Sequence, residues 1–147
     1  MSREKVVITV ADPIAGWEVW KGGVWKARAQ WPFNQLFIDC RMMIEARWPN
    51  TGPDLLHSTL ASAGKGTTPG SIVDPKLGQP AGAWDGALMH ITPGAHWVSW
   101  TRKIKSYSPD KHEITFDEVS KEWAHVVQEG SRYYLTGKRD RRQRPRQ

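Results

Sequence analysis

Apolar positions along this chain fall in short runs that alternate with polar ones, and most runs stop at Gly, Pro, Asn or Asp. A period near two over four to eight residues marks strands with one buried face, so the sequence predicts an all-β protein. KVVITV, residues 5–10, is β-branched and bounded by Ala11-Asp12-Pro13, which predicts a buried strand. WEVW (17–20) and VWKARA (24–29) flank Lys21-Gly22-Gly23, whose glycines suit a tight hairpin turn. QLFI (35–38) and RMMIEA (41–46) flank Asp39-Cys40 and predict a second hairpin. Its two-residue turn forces positive φ on Cys40, a conformation that a non-glycine side chain resists. Pro49 then stops the strand and constrains Trp48 before it.

From 51 to about 83 the chain is rich in Gly, Pro, Ser and Thr and reads as a long central loop with at most a helical turn near 54–62. Strand signals return at 86–91 and 96–107, separated by Thr92-Pro93-Gly94-Ala95. Alternation there puts Trp97, Ser99, Thr101, Lys103 and Lys105 on one face and Val98, Trp100, Arg102 and Ile104 on the other. Ser108-Pro109-Asp110-Lys111 predicts a turn, 113–117 a strand, 118–129 a short helix and 132–136 a last strand. No fixed-period repeat occurs. The expected fold is an antiparallel sandwich- or barrel-like module over residues 1–137, followed by a disordered basic tail, 138–147.

Length and charge sharpen this picture. A chain of 147 residues fits one domain with a real core. The net charge of +6 invites a nucleic-acid reading. However, Lys138, Arg139, Arg141, Arg142, Arg144 and Arg146 against Asp140 put +5 in the last ten residues and leave +1 for the rest. The body is nearly neutral, so nucleic acid is not its expected partner. One cysteine excludes an internal disulfide framework or a multi-cysteine zinc site. The apolar run at 6–10 is short for a signal peptide, and no stretch of 18 apolar residues predicts a membrane span.

The search for chemistry selects no catalytic residue, metal or cofactor. His57, His90, His96, His112 and His125 show no metal-binding spacing, and no G-x-S-x-G elbow occurs. Gly64-Lys65-Gly66 lacks both the upstream glycine and the following hydroxyl of a phosphate loop. Asp85, Asp110, Asp117, Glu118 and Glu122 sit at turns and strand ends, where nothing selects a glycosidase pair. Nine tryptophans supply either buried area or aromatic faces. Trp20, Trp25, Trp100 and Trp123 are expected in the core. Trp31, Trp48 and Trp84 adjoin Pro or Gly-rich loops and are the candidates for stacking on a sugar, with Arg47 and Asn50 beside Trp48.

QLFIDCRMMIEARWPN, residues 35–50, resembles the Q-[LV]-F-[VI]-[DN]-G…M…ARWPN region of large right-handed parallel β-helix proteins of the pectin-lyase-like class, which include bacterial glycoside hydrolases and polysaccharide lyases. The flanks GWEVWKGGVWKARA, MHITPGAHWVSWTRKIKSY, ITFDE and SRYYLTGK are similar to the same proteins, so the resemblance covers about residues 6–137. It implies an inserted N-terminal region that packs on the β-helix coils and walls one end of a glycan groove. Two departures matter. Cys40 stands where the family has a turn glycine, and KRDRRQRPRQ follows where the family continues into apolar sequence and coils. The resemblance thus implies a truncated or frameshifted, non-catalytic fragment of a secreted or cell-envelope protein, with a glycan and the missing coils as partners. The alternatives are a complete glycoside hydrolase or polysaccharide lyase, and a weak nucleic-acid binder acting through the tail.

Overall fold

The computed structural model describes residues 11–33, 35–119 and 125–137. The strand expected at 5–10, Trp123 and the basic tail lie outside the described residues. So does most of the helix expected at 118–129, whose described flanks, 118–119 and 126–128, are neither helix nor strand. The chain divides into two compact units, Met1–Met43 and Ile44–Gln147.

The first unit holds the two predicted hairpins. β1 (Glu18–Lys21) pairs antiparallel with β2 (Val24–Lys26) around Gly22 and Gly23, whose φ values of 53° and 79° only glycine adopts without strain. A bulge interrupts the ladder between Val19 and Lys21. β3 (Phe37–Ile38) pairs with β4 (Arg41–Met42), and the Met43 N–H donates to the Leu36 carbonyl at 2.7 Å beyond them. Asp39 and Cys40 have φ of 50° and 62°, so the turn takes the positive-φ geometry that two-residue hairpins favour, with the expected cysteine in the strained position. None of the described residues from 11 to 43 is buried.

The second unit carries the core. β5 (Arg47–Trp48), β6 (Ala61–Ser62), β8 (Leu88–Thr92), β9 (Trp100–Lys103) and β12 (Arg132–Thr136) make a five-stranded sheet in the order β5-β12-β8-β9, with β6 also on β12. The remaining strands, β7 (Ser71–Val73), β10 (Ser106–Ser108) and β11 (Glu113–Thr115), form a second sheet in the order β10-β11-β7. Every pairing is antiparallel and neither sheet closes on itself. The protein is all-β, and its described residues form no closed barrel. Nor does it show the parallel coils of a β-helix among the described residues. No helix among them is long and apolar enough to cross a membrane.

Two sequence expectations need correction here. The segment 51–83 is not a structureless loop, because it supplies β6, β7 and the fully buried Ile72 and Leu77. The single turn near Asp54 exists, with the Asp54 carboxylate accepting from the Leu56 and His57 N–H groups. The tryptophan assignment also changes. Trp20 and Trp25 are 54% and 58% exposed, whereas Trp84 is 7% exposed. Once 51–83 folds inward, a ring beside a Gly-rich stretch sits in the interior rather than on a rim.

Ile72 and Ile114 of the smaller sheet and Met89, Ile91, Tyr133 and Leu135 of the larger one belong to one cluster, completed by Leu77, Trp84, Phe116 and Val127. The faces predicted for 97–105 hold. Trp97, Ser99, Thr101, Lys103 and Lys105 are exposed, Ile104 is buried, and Val98, Trp100 and Arg102 are half-buried. A buried carboxylate links the two sheets. Asp74 follows β7 and is 2% exposed; it accepts from the Tyr133 hydroxyl of β12 at 2.8 Å and from the Lys76 N–H at 2.9 Å. Burial, reinforced by the neighbouring Asp74, pushes the Tyr133 phenol far above its ordinary range, so it stays a donor.

Candidate ligand-binding face

Strand alternation turns Met89, Ile91, Tyr133 and Leu135 into the core. His90 and Thr92 of β8 and Tyr134 and Thr136 of β12 therefore stand on the opposite face of the sheet. The register places Tyr134 opposite His90, His90 opposite Thr101, and Arg47 opposite Thr136. One row of side chains, Tyr134-His90-Thr101, thus crosses three strands, and Arg47 stands in the neighbouring row beside Thr136.

The row is packed as a stack. The Arg47 guanidinium carbon lies 3.8 Å from the Tyr134 ring centroid, and the His90 ring stacks on Tyr134 at 4.5 Å with an interplanar angle of 8°. Because β5 and β8 flank β12 on opposite sides, Tyr134 is held between a cation and an imidazole. Arg47 is further fixed by donating to the Thr59 carbonyl.

Both His90 nitrogens are engaged, Nε2 with the Thr136 hydroxyl at 3.0 Å and Nδ1 with the Thr101 hydroxyl at 3.1 Å. A neutral imidazole satisfies this arrangement by donating to one hydroxyl and accepting from the other. Burial holds the His90 pKa below its ordinary value; Glu45 opposes that shift and Arg47 adds to it. Beyond His90, the Thr92 and Ser99 hydroxyls meet at 3.1 Å. In the bend before β9, the Trp97 indole is 72% exposed and meets His125 edge-on at 6.5 Å.

The sequence candidates divide around this face. Arg47 belongs to it. Trp48, next along β5, points the other way, with its ring 6.0 Å from Tyr133 and 6.4 Å from Trp84. Trp84 donates its indole N–H to Gln79 at 3.0 Å and packs in the core, so it offers no open face. Asn50 is exposed just after the cis Trp48-Pro49 bond. Trp31 is 40% exposed and belongs to the first unit. Sequence reasoning missed His90, Thr101, Tyr134 and Thr136. Polar residues at alternate positions of two apolar strands were the available signal, but the pairing of 88–92 with 132–136 is not written locally.

Two of the carboxylates considered for catalysis share a shallow, open depression lined by Asp85, Gly86, Lys103, Ile104, Lys105 and Asp117. Both are engaged. Asp85 accepts from the Tyr107 N–H at 2.8 Å, and Asp117 pairs with Lys105 at 2.6 Å. Among the described residues no group of three or more His, Cys, Asp or Glu is placed to hold a metal ion. No family model, curated protein or solved structure matches this chain.

Proposed function

We propose that this chain is a non-catalytic, glycan-binding β module that serves a larger carbohydrate-active protein. The observation that carries the reading is the Arg47-Tyr134-His90 stack, bordered by the hydroxyls of Thr92, Ser99 and Thr101, with the buried Thr136 holding His90 from below. Sugars present hydroxyls that both donate and accept, and a row of threonines and serines offers matching groups. A fixed guanidinium adds donors suited to an acidic sugar. Trp97 supplies the exposed aromatic surface on which an apolar pyranose face can lie. The resemblance of residues 35–50 to β-helix carbohydrate-active proteins agrees with such a ligand and suggests sandwich-like packing of the module against their coils.

Calorimetric titration with oligogalacturonides and with neutral β-glucan oligosaccharides tests the proposal. Binding by one series is expected, weakened about tenfold or more, roughly 1.4 kcal/mol, by Arg47→Ala and by Trp97→Ala. No heat from either series at millimolar protein would end it. A second reading, a glycan-cleaving enzyme, rests on Asp85 and Asp117 sharing one depression. Release of reducing ends that is lost in both Asp85→Asn and Asp117→Asn would replace the binding reading.

A further inference from the structure

Charge narrows the kind of sugar that the face of β8 and β12 can take. Alternation along β12 puts Arg132 on the same side as Tyr134, two residues or about 7 Å away, with Tyr133 buried between them. Arg132 is exposed and stands between Ser62 of β6 and Thr92 of β8, and Thr92 in turn meets Ser99. Arg47 comes from the opposite end, since its register partner is Thr136, and its guanidinium reaches back over the Tyr134 ring. Two arginines thus bracket one aromatic residue along the sheet. Neither forms an ion pair with a described residue, and neither does Lys103, which lies opposite Leu88 on the exposed side of β9. Arg47, Arg132 and Lys103 outnumber Glu45 there. Unpaired cations among hydroxyls recognise anions, because a guanidinium fork matches two oxygens of a carboxylate or sulfate while Ser62, Thr92 and Thr101 serve sugar hydroxyls.

His90 sits in the middle of this arrangement, stacked on Tyr134 with its two nitrogens on Thr136 and Thr101. The charges facing it are Arg47 from β5 and Glu45 just before that strand. Arg132 of β12 and Lys103 of β9 lie two residues along from its neighbours Tyr134 and Thr101. A proton on His90 leaves both hydrogen bonds in place, because each threonine hydroxyl can turn and accept. Without a ligand, burial and then Arg47 disfavour that proton, and Glu45 only partly offsets them. An anion laid over Tyr134 supplies the missing opposite charge.

We infer that this face takes an anionic glycan, whose carboxylate or sulfate groups lie across Arg47 and Arg132 with Tyr134 between them, and that in acid His90 joins the two arginines as a further cation. The inference rests on the glycan-binding reading and adds the class of sugar, the role of Arg132 and the response to pH.

Calorimetric titration of the full chain at pH 7.5 and pH 5.0 tests this with three oligosaccharide series: a neutral β-glucan, the same β-glucan carrying sulfate, and oligogalacturonides. At least one anionic series is expected to bind about tenfold tighter than the neutral one, and which one does so tells sulfate from carboxylate. Its affinity should rise about threefold or more at pH 5.0, where the ligand stays ionised and His90 takes up its proton. Raised salt should narrow the gap between the anionic and neutral series. Arg132→Ala should weaken anionic binding about fivefold and leave the gain in acid, whereas His90→Gln should abolish that gain. The comparisons of series, pH and salt need only the native chain, so they decide the matter even if a variant fails to fold. Neutral sugar bound as tightly as anionic sugar overturns the inference and leaves the glycan reading standing, whereas no binding by any series ends both. Equal affinity at the two pH values, or anionic binding indifferent to Arg132→Ala, overturns the inference as well.

Discussion

At the scale of single residues, backbone conformation and proton affinity set the expectations. Asp39 and Cys40 both sit at positive φ, and the cysteine carries a Cβ that this region of φ disfavours. Cys40→Gly is expected to stabilise the β3–β4 hairpin by about 0.5–1 kcal/mol, read as a higher thermal midpoint for that unit. A lower midpoint would mean that contacts of the exposed thiol outweigh the backbone strain. His90 gives a pH dependence of definite sign. Its folded pKa lies below the unfolded value of about 6.5, so the unfolded chain takes up the proton first on acidification. His90 therefore supports the fold fully above about pH 6.5 and loses that contribution as the pH falls toward its folded pKa. Melting temperatures should drop more steeply below that pH in the native chain than in His90→Gln, and equal slopes would remove His90 from the account.

Among the elements, β7 deserves the most direct test. Ile72 is fully buried between β11 and the core, so Ile72→Ala should cost about 2–5 kcal/mol in chemical unfolding. A cost near zero would return 51–83 to the status of a surface loop. The element-level lesson lies in why β7 was illegible while β1 to β4 were not. Each hairpin strand meets its partner across a turn of two residues, so the local pattern contains both strands and their register. β7 contributes three residues between Gly70 and Pro75, and its partner β11 lies some forty residues onward. Nothing local marks it. The same holds for the candidate face. The alternation of 97–105 and the strand at 132–136 could be read directly, but Tyr134 meets His90 only through a pairing between strands far apart in sequence. The tryptophans failed for the converse reason. Neighbouring glycines and prolines suggested an exposed Trp84, and the long-range fold buried it.

For the whole molecule, the contrast between the units predicts two levels of stability. All residues described as buried lie between Ala61 and Thr136, and none lies among the described residues 11–43. Amide hydrogens of β1 to β4 should exchange orders of magnitude faster than those of β8 and β12. Equal protection in both units would overturn this two-level picture. β12 has one more consequence, which concerns the order in which the protein is made. This strand pairs with β5, β6 and β8, yet it is the last of the twelve to be translated. A nascent chain can close β8 on β9 and β10 on β11 as they leave the ribosome, because those partners are near neighbours. The large sheet has to wait, with Trp48, Met89 and Ile91 lacking their cover until Tyr133 and Leu135 arrive. Chains stalled before residue 132 should accordingly be held by chaperones or degraded, while emergence of β12 should let the sheet form in a single late step.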